Sequence, residues 1–204
     1  MPYANISELS ACLNDCIAYC REHPEHDFCA RMQPNLVELR EELDEAWDVT
    51  DARFSLWRRE AGEDKLSWKK LARTLRDVQK RLEKIDAIGF PNERVMYWDA
   101  PLLEVAVEDM VEYLSEHADD IEFAQDYIEK MERLRDSAHD EHDESREALR
   151  SYRRHFRARR DTLAHSAHLI GEFRDAMRNE LGEDHDDYQS IRWAWSVSPD
   201  HAIF

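Results

Sequence analysis

The stretch HDEHDESRE, residues 139–147, sets two histidines and five acids in nine positions. Imidazole and carboxylate together are ligands for a divalent cation. On a helix His139 and His142 are i,i+3 neighbours, but a metal needs further ligands from other helices. The seam spacing puts His142 at a half-buried position and His139 toward water, so an exposed helix face is expected here. The ferritin-like di-iron pattern needs Glu-x-x-His on two helices. No histidine in the chain has Glu three residues before it, and the closest case is Asp136 before His139. The HExxH spacing of zinc proteases is also absent.

CIAYCREHPEHDFC, residues 16–29, is the stronger metal candidate. Cys16, Cys20, His23, His26 and Cys29 are soft and borderline ligands in a short span, and thiolate with imidazole suits zinc. Thiols at i,i+4 on a helix splay more than those of a CxxC knuckle. Cysteine is also a small apolar core residue, so core packing competes with the zinc reading. Four cysteines within the first 29 residues, three on one helix, make a poor disulfide framework.

RSYRRHFRARR, residues 150–160, is the one strong basic run, with Tyr152 and Phe156 interleaved. Its face could grip phosphate, but the adjoining acids of 139–147 can balance it. The glycines stand singly, so no phosphate-cradling loop can be assembled, and GxSxG is absent.

These groups must be carried by helices. Only four glycines and six prolines in 204 residues, with 36% charged residues, point to an all-α protein. Apolar spacing predicts six helices. Helix A covers about Ser7–Glu22, B runs from Pro34 to near Gly62, and C carries Leu71, Leu75, Val78, Leu82 and Ile85. D opens at Pro101, E runs from about Asp120 to Arg160, and F carries Leu163 to Leu181 before Gly182.

The order short, long, medium occurs twice. At an offset of 94, Tyr19 meets Tyr113 and His23 meets His117, while Cys12, Cys16, Cys20 and Cys29 meet Ala106, Met110, Leu114 and Phe123. At 95 the B and E seams coincide, and at 98 RVMYW meets RWAWS. The expectation is an elongated bundle of two diverged three-helix repeats, residues 1–99 and 100–204, packed as one domain. Short aromatic non-helical segments, Val95–Trp98 and Ile191–Trp195, are expected to cover the ends of the bundle.

The net charge is −18, with 15 Lys/Arg against 20 Asp/Glu in residues 1–100 and 13 against 26 thereafter. That field repels nucleic acid and anionic membranes and attracts cationic partners. No apolar run approaches the roughly 20 residues of a membrane span, and the first residues lack a signal-peptide pattern, so a cytoplasmic protein is expected.

The function expected is a non-enzymatic acidic interaction module: an adaptor, assembly factor or inhibitor, in its narrowest form a DNA mimic. Its partner is another protein with a basic surface or a second copy of the chain. Tyr97, Trp98, Trp193, Trp195, Arg153, Arg154 and Arg157 are the expected contact residues. The rival expectation is a zinc or redox enzyme or sensor built on Cys16, Cys20, His23, His26 and Cys29. No other cofactor is expected.

Overall fold

The computed structural model describes residues 6–193, with side chains from Glu8 onward. It is all-helical, with no strand among the described residues: α1 Ile6–Glu22, α2 Asp27–Lys84, α3 Ala100–Glu116, α4 Ala124–Leu181 and α5 Asp186–Ser190. The first four are 17, 58, 17 and 58 residues long.

Helix α1 exists because Leu9, Cys12, Leu13, Cys16, Ile17 and Cys20 recur every three or four residues, and all are buried. It stops before Pro24, whose ring disfavours helical backbone at His23. Helix α3 carries the equivalent stripe, Leu103, Ala106, Val107, Met110 and Leu114. Asp99 caps it by accepting from the Leu102 N–H at 3.4 Å. Helix α4 ends at Gly182, whose φ of 91° only glycine adopts cheaply, with its N–H donating to the Arg178 carbonyl at 2.9 Å.

Among the described residues there are five helices where six were expected. The predicted B and C are one helix, α2, and E and F are one helix, α4. Gly62 does not end a helix. It lies in the interior of α2, and a Cβ there would meet nothing within 4 Å. One helical glycine costs only about 1 kcal/mol. Pro34 is also internal rather than at the start, because buried Phe28 and Cys29 draw the helix back to Asp27.

The chain forms two compact units, residues up to 53 with those from 151 on, and Phe54–Arg150. Each draws on both sequence halves, 1–99 and 100–204. The core of the first unit is Leu9 to Cys20 of α1, Phe28 to Leu43 of α2, Leu163 to Met177 of α4, and Tyr188 with Ile191. The core of the second is Trp68 to Leu82 of α2, Leu103 to Leu114 of α3, and Ile121 to Ala138 around the start of α4. Each unit thus has one short helix, the first part of the long helix following it, and the last part of the other long helix.

Replacing Gly62 with Ala tests the continuity of α2. If the position is helix interior with open space at Cβ, Gly62→Ala raises stability by about 0.5–1 kcal/mol in chemical denaturation. A loss of stability would mean the chain turns there.

Candidate functional site

The α1–α2 connection of the first unit gathers His23, Glu25 and His26, each offering a ligand atom, all within 4.8 Å of one another. His23 Nδ1 lies 3.2 Å from Glu25 Oε1, and His26 Nδ1 lies 2.5 Å from Glu180 Oε1 of α4. The imidazoles rest on an aromatic floor. Tyr19 stacks under His23 at 4.4 Å between ring centroids and runs nearly parallel to His26 at 6.2 Å. Phe28 supports His26 at 5.5 Å. Tyr19 is buried with its hydroxyl unpaired, and burial pushes that phenol up to about 12. The Glu25 carboxyl is held below its ordinary range, first by its own backbone N–H and then by His23.

The cysteines near these histidines in sequence are core residues, the reading weighed against zinc from the sequence. Cys16, Cys20 and Cys29 are fully buried, as is Cys12. The Cys16 thiol is raised, first by its hydrogen bond with Cys12 and then by burial, while burial leads for Cys20 and Cys29. Raised thiols resist the ionisation that metal binding requires. Of the five suspects, only the two histidines join a metal-capable grouping among the described residues.

The run 139–147 contributes through its glutamates. Glu141 and Glu144 converge with Glu60 of α2, their ligand oxygens within 4.8 Å. Glu60 is only 7% exposed and is bridged to Arg59 at 2.6 Å. The Glu141 carboxyl is raised, first by desolvation and then by Glu63, Glu144 and Glu60. Glu141 Oε2 and Asp64 Oδ1 are buried without a hydrogen-bond partner. Such all-oxygen surroundings suit a hard cation. The two histidines stand apart from this group: His142 pairs with Asp64 and His139 with Glu104, each at 3.3 Å. Sequence reasoning weighed the histidines and passed over the glutamates, because Glu60 is distant in sequence and only packing brings it close.

The expected contact residues divide. Tyr97 packs against the second core, under the Lys69 ammonium at 4.9 Å, while Trp98 is 69% exposed and meets Tyr97 edge-on. Trp98 is thus largely in water, while Val95 and Tyr97 of the same segment pack against the second core. Trp193 does cover the first core: it packs on Phe173 and Tyr188, and its Nε1–H donates to the Tyr188 carbonyl at 2.9 Å. The neighbouring Arg192 clamps Asp15 of α1 through Nε and Nη2 at 2.9 and 2.8 Å, and that hydrogen bonding lowers the Asp15 carboxyl. Trp195 lies outside the described residues. Arg153, Arg154 and Arg157 are exposed. Within the run 150–160, Arg159 lies over Trp47 at 4.5 Å and Phe156 at 4.8 Å. Its partner Trp47 sits on α2, so no local pattern could have selected it.

Comparison with protein-family models, curated proteins and solved structures finds no match to this chain. No helix among the described residues is long and apolar enough to cross a membrane.

The raised Glu141 carboxyl has a defined pH signature. Its folded pKa exceeds the unfolded one, so the protonated form favours folding, and this contribution is lost as pH rises through the folded value. Glu141→Gln should therefore melt higher than the parent at pH 7 by circular dichroism. The gain should vanish below about pH 3, where the acid is protonated in both states. A lower melting temperature at pH 7 would show that the carboxylate is paired.

Proposed function

We propose that the chain is a protein–protein interaction module that docks a partner carrying apolar side chains fringed by basic ones. The observation that carries this is a run of exposed apolar residues between Ile85 and Val105 in the second unit. Ile85, Ile88, Met96, Trp98, Leu102 and Val105 are all exposed within one stretch, against Trp47 and Leu66 elsewhere in the described residues. Ile88 is 90% exposed. A concentration of this kind costs hydration free energy unless something covers it.

The surface is held in place. Gln79 Nε2–H donates to the carbonyls of Pro91 and Glu93 at 3.2 and 3.1 Å. The Tyr113 hydroxyl donates to the Ile88 carbonyl at 3.2 Å. A pre-ordered loop loses less entropy on binding. Exposed Asp86 and Glu93 stand beside exposed Lys84 and Arg94, so the acidic bias is that of the chain as a whole, net charge −18. That favours a basic rim on the partner and fast, salt-sensitive association.

An internal duplication is the other half of this reading. It is supported by the repeated 17- and 58-residue helices and by buried pairs at an offset of 94, Leu9 with Leu103 and Cys16 with Met110. The Tyr19–His23 stack at 4.4 Å has a counterpart in Tyr113–His117 at 4.3 Å. Among the described residues the exposed apolar stretch lies in the second unit.

The test is a pull-down from cells of the source organism, comparing the parent with Trp98→Asp and Ile88→Asp at low and high salt. The expected result is a stoichiometric partner, weakened tenfold or more by either variant, about 1.4 kcal/mol, and weakened again by salt. Capture that is indifferent to both variants, or an empty bait, overturns the proposal.

A further inference from the structure

We propose that the α1–α2 connection is a binding site for a divalent transition-metal ion of the zinc class, with His23, Glu25 and His26 as ligands and Glu180 orienting His26. The proposal is independent of the docking surface, which belongs to the other unit.

The donor set selects the ion. Two imidazoles and a carboxylate suit zinc and its neighbours, whereas magnesium and calcium take oxygen alone. Two ligands of one tetrahedral zinc, each about 2.0–2.1 Å from it, stand roughly 3.3 Å apart. His23 Nδ1 and Glu25 Oε1 are already 3.2 Å apart. His26 differs, because its Nδ1 faces Glu180 at 2.5 Å. With Nδ1–H donating to that carboxylate, the Nε2 lone pair is left for the metal. This is the carboxylate–histidine–metal arrangement that sets a ligand's tautomer and raises its basicity. Three protein ligands leave a fourth position for water or another small donor.

The rings are also restrained before any ion arrives. Buried Tyr19 lies under His23, Phe28 packs against His26, and Phe173 meets both Tyr19 and Phe28 edge-on at 6.3 and 5.4 Å. Pro24 between the histidines limits the backbone.

The chain contains its own control. His117 stacks on Tyr113 much as His23 stacks on Tyr19, but its Nδ1 faces the Tyr113 carbonyl at 2.9 Å. Where the first unit has Glu25 and His26, the second has Asp119 and Asp120, and no metal-capable grouping forms there among the described residues. The tyrosine–histidine stack is thus a packing feature of both units, and the second histidine adds the ligand set.

The experiment is calorimetric titration of the full chain, without a histidine tag, with Zn²⁺, followed by Co²⁺ for its absorption spectrum. The expected result is one equivalent per chain, about 100-fold weaker binding in His26→Ala and in His23→Gln, and unchanged binding in His117→Ala. Glu180→Gln should weaken binding about 10- to 100-fold, the range for loss of a histidine-orienting carboxylate. Helical circular dichroism of each variant separates loss of the site from loss of the fold. Any of four outcomes overturns the proposal. They are less than about 0.1 equivalent bound, histidine variants that are folded and bind like the parent, a thiolate charge-transfer band with Co²⁺, or binding lost in Glu141→Gln instead.

Discussion

Neither compact unit can complete its core without the far end of the other unit's long helix. Phe173 and Met177 of α4 are fully buried beside Leu9 and Cys16 of α1. Val78 and Leu82 of α2 are fully buried beside Leu103 and Met110 of α3. The two 58-residue helices must therefore stay helical from one unit into the next, which explains why α2 tolerates Gly62 and Pro34 inside it. Tertiary burial outweighs local propensity, as it does for most helices in water. The same constraint makes decisive contacts remote in sequence, a topology that folds more slowly than a bundle of local hairpins.

Polar chemistry then collects where this packing leaves room. At the α1–α2 connection the helix stops, Pro24 interrupts it, and two imidazoles lie on the aromatic side of the first core. In the second unit carboxylates from α2 and α4 are pressed together, leaving Glu141 raised and its Oε2 unpaired. Cysteine follows the opposite course: Cys12, Cys16, Cys20 and Cys29 are buried in the first core, and burial raises the Cys20 and Cys29 thiols. The apolar side chains that no core absorbs are concentrated at the α2–α3 connection. There, fixed hydrogen bonds from Gln79 and Tyr113 hold the backbone while Ile88 and Trp98 face water.

The all-helical class and most core positions are legible in the sequence because helical periodicity is local. Leu36, Leu39 and Leu43, or Leu71, Leu75, Val78 and Leu82, announce their buried faces by spacing alone, and all are buried. The tyrosine–histidine pairs at 19/23 and 113/117 meet just past the ends of α1 and α3, where each histidine N–H still donates to the tyrosine carbonyl four residues back. Helix number was not legible, because a single glycine is a weak breaker whose effect depends on what the rest of the helix gains by continuing.

The sequence by itself determined the helical class, the buried stripes, the acidic field and the nearness of His23 to His26, all set by spacing along one chain segment or by composition, while Glu25 was passed over. Only the tertiary structure decided that α2 and α4 run unbroken and that each core takes in a remote helical segment. It alone brought Glu180 to His26, Glu60 to Glu141, and Arg159 to Trp47. The reason is physical. A residue's neighbours within a helix follow from a period of 3.6, whereas its neighbours across helices follow from which apolar faces must be hidden together, and that is a property of the whole chain.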